Sequence, residues 1–131
     1  MCGSIIAIYL LGTGSITITE EVRLVRTKSQ LTGPRHESFR NSVRVRDQRC
    51  IITGVPTLLG TYGWWNTFEA AHVFPLAYLG QWQDNKFDKL ISVPPANLSH
   101  GLINSVQNGM LLMSQIHVMF DSYCWSIDPD V

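Results

Sequence analysis

The dipeptide Asn108-Gly109 is the strongest turn signal in the chain, and it stands directly before the apolar run "MLLM" at 110–113. Asn and Gly both reach the backbone angles that tight turns require, so "MLLM" reads as a strand entered from a turn. Ser114 is of a type that caps helices, and the residues after it place Ile116, Met119 and Phe120 on the apolar face of a short helix. His117 and Asp121, four residues apart, fall on one side of that helix. The turn closes "SVPPANLSHGLINSVQNG" (92–109), a segment rich in Pro, Gly, Asn and Ser that reads as a loop.

Further upstream, "TFEAAHVF" (67–74) reads as an extended segment stopped by Pro75. His72 lies within it among small and apolar neighbours, and taken alone it reads as a core histidine. "RCIITG" (49–54) reads as a short strand closed by Gly54. Residues 75–91 read as a helix with Leu76, Leu79, Trp82, Phe87 and Leu90 as apolar contacts, weakened by Gly80. "CWSIDPD" (124–130) reads as a closing strand and turn.

Charge is balanced overall and uneven along the chain. Ten Lys and Arg offset ten Asp and Glu, so the whole chain carries no electrostatic signature of a nucleic-acid binder. Between 22 and 49, however, eight basic residues stand against Glu37 and Asp47 alone. Such a stretch suits a phosphate backbone, and it equally suits a solvated surface. Residues 1–45 divide into a β-prone start, with an apolar run from Ile5 to Leu11 and the alternating "SITIT", and a polar, basic connector in which Gly33-Pro34 marks a turn. A packed domain is expected over 46–131.

The apolar run has no Lys or Arg before it and falls far short of the ~20 residues of a membrane span. No membrane segment or secretion is expected, and the compartment is taken as intracellular, the nucleus included. Three cysteines, Cys2, Cys50 and Cys124, show no CxxC spacing, which argues against a disulfide framework. Cys50 and Cys124 are expected to pack as small apolar residues.

The polar residues, taken in order, resemble the HNH nuclease family. The matching pieces are "RDQRCIITG", "FEAAHVFPLA", "INSVQNGMLL", "IHVMFDSY" and "WSIDPD", with eight residues between Asn108 and His117. Their likeness is to the type found within larger fungal proteins, and it covers about residues 46–129. The first 45 residues carry no comparable signal.

The resemblance implies an α+β fold, a ββα-metal (His-Me) finger with short flanking strands and helices, and a metal-dependent nuclease that hydrolyses DNA phosphodiester bonds. It implies His72 as general base, Asn108 as the residue holding the hairpin loop, and His117 as a ligand to one divalent ion such as Mg²⁺ or Mn²⁺. Glu69 and Asp121 are further candidate ligands. A neutral imidazole suits proton abstraction because its unperturbed pKa is ~6.5, and a divalent ion suits the charge that develops on the phosphate and leaving oxygens. DNA is the expected partner, met through its backbone by Arg40, Arg44, Arg46 and Arg49.

Three features depart from the family pattern. Ala71 stands where many related fingers carry a metal-binding Asp or His. "CIITG" offers one sulfur where a zinc site needs more, so no structural zinc is expected and Ile51, Leu111, Leu112, Phe120 and Trp125 are expected to hold the finger together. The chain stops at Val131 soon after "IDPD", where the family continues with further strands, so the sequence reads as a fragment or a short member. The alternative, favoured by Ala71, the neutral net charge and the early C-terminus, is a non-catalytic HNH-fold module for protein or nucleic-acid contact.

Overall fold

The computed structural model describes residues 34–128. The expected Ile5–Leu11 strand, "SITIT" and the first part of the basic connector lie outside that range. The described residues contain three α-helices, α1 (Pro34–Asp47), α2 (Leu79–Asp84) and α3 (Ser114–Asp121), and two strands, β1 (Phe68–His72) and β2 (Gly109–Met113). The strands pair antiparallel, Phe68 opposite Met113 and His72 opposite Gly109.

Successive side chains of a strand point to opposite faces, and here both faces of β2 are covered. Leu111 packs with Phe39 and Val43 of α1. Met110 and Leu112 pack on the other side with Cys50, Ala71, Phe120 and Trp125. Burial on both faces is why "MLLM" is continuously apolar rather than alternating. In β1 the same parity sends Ala70 and His72 toward α1, and Glu69 and Ala71 toward α3.

The helix α1 includes residues 34–45, expected as a polar connector, and it crosses the boundary expected at 46. Pro34 opens it at a position where a missing N–H costs nothing. Glu37 in the first turn and Arg44 and Arg46 in the last complement the helix dipole. Phe39 and Val43, one turn apart, are its buried apolar residues; a stripe that narrow leaves no amphipathic period in a sequence otherwise full of charge.

Gly109 lets this helix sit close. A Cβ on Gly109 would lie 2.5 Å from Val43 Cγ2 and 2.7 Å from Phe39 Cζ. Its φ of −128° is ordinary extended backbone, so glycine is needed here for space and not for a left-handed turn. Asn108-Gly109 is accordingly not a two-residue hairpin loop: residues 73–108 connect the strands, and Asn108 ends a 3₁₀ turn that runs into β2.

The C-terminus of α1 is tied to the sheet by an ion pair. The Arg46 guanidinium donates to both Asp47 carboxylate oxygens at 2.6 and 2.9 Å, and to the carbonyls of Val106 and Gly109 at 2.5 and 2.6 Å. Asp47 Oδ2 in turn accepts from the Leu111 N–H at 2.9 Å. A strand-edge donor that would otherwise be buried without a partner is thereby satisfied.

Several local expectations are corrected. "RCIITG" is a turn, with the Gly54 N–H donating to the Cys50 carbonyl and a single bridge between Arg49 and Pro56, and Ile51 is exposed rather than part of the core. The helix expected over 75–91 is broken into α2 between two 3₁₀ turns, because Lys86 takes a left-handed φ of 55°. Within it, Trp82 is buried against Phe74 and Phe87, whereas Leu79 and Leu90 face solvent.

Ser114 is the first residue of α3 and not its cap; its N–H donates to the Thr67 carbonyl. Met119, expected on the apolar face, is exposed, while Phe120 is buried. Residues 124–128 form no strand. Trp125 is nonetheless buried, its indole N–H donating to the Ile116 carbonyl. Cys50 is free and buried as expected, whereas Cys124 is disulfide-bonded.

Candidate active site

His72 ends β1 with its ring against α1. Phe39 stacks on the imidazole with centroids 3.8 Å apart and planes 11° from parallel, and His36 meets it edge-on at 6.5 Å. The ring Nε2 lies 3.1 Å from Asn104 Oδ1. Burial pushes the His72 pKa down to about 4; the hydrogen bond to Asn104 opposes this, and the nearby His36 and His117 add to it. The ring is therefore neutral at pH 7, the form in which an imidazole can accept a proton.

Asn108 is buried, and both the oxygen and the nitrogen of its carboxamide are bonded. Oδ1 accepts from the Phe74 N–H at 2.8 Å, and Nδ2 donates to the carbonyls of Phe74 and Ile103 at 3.0 and 2.9 Å. The Asn108 carbonyl also accepts from the Val73 N–H. These bonds pin the chain immediately after His72 to the start of β2 and so fix where the histidine leaves the sheet. A side chain with both donor and acceptor is required for that task.

On the other face, Glu69, His117 and Asp121 form a chain. His117 Nδ1 lies 2.5 Å from Glu69 Oε2, and Nε2 lies 3.3 Å from Asp121 Oδ2. Strand parity directs Glu69 toward α3, and the helical repeat sets Asp121 one turn beyond His117. The two ring nitrogens point apart, so the carboxylates lie on opposite edges of the imidazole. Among the described residues no three or more His, Cys, Asp or Glu side chains converge to hold a metal ion. Ala71, whose Cβ faces the same side, is 1% exposed in the apolar cluster and supplies no donor there.

The four candidate arginines have different surroundings. Arg40 and Arg49 are exposed. Arg44 is half-buried with its guanidinium 4.8 Å above the Trp65 ring, and burial followed by the neighbouring Arg40 lowers its pKa. Arg46 holds Asp47 and two backbone carbonyls, as described above. Asn104 and Phe39, which contact the His72 ring, carry no sequence signal that marks them: one is an asparagine in a loop, the other a lone aromatic in a basic segment.

A two-stranded antiparallel hairpin whose first strand ends in a histidine, followed at once by a helix carrying a second histidine, defines a ββα finger. Residues 50–128 match the HNH endonuclease family, and the chain belongs to it. No curated protein and no solved structure matches the chain. Among the described residues no helix is long and apolar enough to cross a membrane.

Proposed function

We propose that the chain is a metal-dependent nuclease acting on DNA, with His72 as the base that takes a proton from the attacking water. The observation that carries this reading is the environment of His72: a ring kept neutral by burial, stacked on Phe39 and held at one nitrogen by Asn104. A base must be both unprotonated and aimed, and this surrounding supplies both conditions.

The donors on α3 fit a divalent ion bound by few protein groups. His117 Nε2 and Asp121 face one another one helical turn apart and would share the ion, with water and phosphate oxygens in its other positions, as hard divalent ions accept. Glu69 meets the opposite nitrogen, which suits it to orienting the His117 ring rather than binding the same ion. Such an ion would supply Lewis-acid stabilisation of charge on the phosphate and leaving oxygens. Asn108 keeps the strand end in place, and Arg40 and Arg49, both exposed, would meet the phosphate backbone.

A second reading is favoured by one observation: no three such donors converge among the described residues. A finger retained as a non-catalytic scaffold for nucleic-acid or protein contact would need none. Plasmid nicking with Mg²⁺, Mn²⁺, Ni²⁺ or EDTA, beside His72→Ala and His117→Ala, separates the two. The nuclease reading expects metal-dependent nicking, lost by roughly 10²–10⁴-fold in His72→Ala with folding and DNA binding retained. Metal-independent DNA binding without nicking by a folded wild-type chain would establish the scaffold.

A further inference from the structure

We propose that Asn104 is a positioning residue that holds His72 as the tautomer protonated at Nε2, and so makes Nδ1 the atom that receives the proton. The inference rests on the reading of His72 as the base, and it deepens that reading by naming the atom and the group that selects it.

The hydrogen-bond chain leaves one arrangement. Asn104 is 4% exposed, at the end of the 3₁₀ turn Leu102–Asn104. Its Nδ2 donates to the His100 carbonyl at 2.7 Å. A backbone carbonyl can only accept, so a flipped carboxamide would set two oxygens against each other at that distance. The opposite end of the amide, Oδ1, therefore faces His72 Nε2 at 3.1 Å. Because a carboxamide oxygen cannot donate, the hydrogen must be on Nε2. A neutral imidazole carries only one such hydrogen, which puts the accepting lone pair on Nδ1.

Phe39 and Asn104 divide the work of aiming the ring. Stacking at 3.8 Å defines the plane of the imidazole but allows it to turn over within that plane. Turning it over would present a ring carbon to Asn104 Oδ1 and forfeit the hydrogen bond in a buried site, where leaving a polar group unpaired is costly. Asn108, four residues on, fixes the backbone instead, through Phe74 and Ile103. One loop thus supplies an asparagine for the chain and an asparagine for the ring.

The test is long-range ¹H–¹⁵N NMR of the imidazoles in the full chain at pH 7, with His72 assigned from the signals missing in His72→Gln. The wild-type chain is expected to show His72 protonated at Nε2. Asn104→Leu is expected to give a mixture of tautomers, and Asn104→Asp, which keeps an acceptor, to retain the Nε2–H form. A wild-type His72 protonated at Nδ1, or an unchanged tautomer in Asn104→Leu, would overturn the proposal.

Single-turnover cleavage provides the catalytic half. Asn104→Leu is expected to slow the step about 100-fold with DNA affinity unchanged, and Asn104→Asp to recover most of the rate; an equal loss in both variants would refute a role through the acceptor oxygen. A wild-type chain that does not cleave refutes the base reading and with it the catalytic half, while the spectra decide the tautomer independently.

Discussion

Substituting alanine for Gly109 adds a single methyl group, and the structure says where it goes. The new Cβ would stand 2.5 Å from Val43 Cγ2 and 2.7–2.8 Å from two atoms of the Phe39 ring. Ordinary carbon contacts lie at about 3.5–4.0 Å, so α1 or its two buried side chains must retreat by about 1 Å. Both neighbours are almost fully buried, and neither is a flexible chain end. Overpacking of this kind costs about 1–3 kcal/mol, and removing a glycine from the unfolded chain returns about 0.4–1 kcal/mol. The net loss is about 1–2 kcal/mol, or a fall in Tm of several degrees for a chain of this size, at about 4 °C per kcal/mol.

Urea unfolding of Gly109→Ala and Gly109→Asn measures it. Asparagine tolerates a left-handed turn nearly as well as glycine does but fills still more space, so Gly109→Asn should be the worse of the two. Pairing Gly109→Ala with Val43→Ala should recover part of the loss, since the two sites are in contact. If Gly109→Ala is as stable as wild type, or if Gly109→Asn is tolerated better than Gly109→Ala, then glycine serves a turn and α1 does not rest on it.

Further expectations follow from the same contacts. Asp47→Ala strips the Leu111 N–H of its charged acceptor and Arg46 of its partner, and should cost about 1.5–3 kcal/mol by denaturant titration; a loss under about 0.5 kcal/mol, as for an exposed pair, would mean that the lock carries no weight. Because the His72 pKa is depressed by burial to about 4, the folded state binds fewer protons than the unfolded one between about pH 6.5 and 4. Its contribution is complete above the unfolded value and is lost as pH falls through that window, by about 2 kcal/mol between pH 7 and 5. His72→Gln should remove that dependence, and an unchanged pH profile in the variant would refute the assignment. Arg40→Ala and Arg49→Ala should each reduce the salt slope of DNA binding by about 1, whereas Arg46→Ala should first lower stability; a full salt-slope effect of Arg46→Ala without destabilisation would show the guanidinium meeting phosphate instead.

The hairpin and the helix after it were legible in the sequence because their signals are local. Pro75 stops an extended run, "MLLM" follows a glycine, and His117 and Asp121 stand at helical spacing, so β1, β2 and α3 lie where the pattern puts them. The order of His72, Asn108 and His117 resembles the HNH nucleases strongly enough to imply the family to which residues 50–128 belong. Helix α1 was not legible. Among its described residues the buried apolar stripe is Phe39 and Val43 alone, and the bare backbone of Gly109 lets these two side chains pack close on the sheet.

What the sequence determined by itself, then, is the set of elements whose stability comes from neighbouring residues and the chemistry of the side chains they carry. The tertiary structure decided how those side chains are used. Strand parity put Glu69 beside His117 and His72 beside Phe39, and it turned the Cβ of Ala71 into an apolar cluster. It took Arg46 into an ion pair with its own neighbour, and it brought Asn104 across 32 residues of chain to the ring of His72. Burial lowers the pKa of that ring, and burial is a property of everything packed around a residue, which no window of sequence contains.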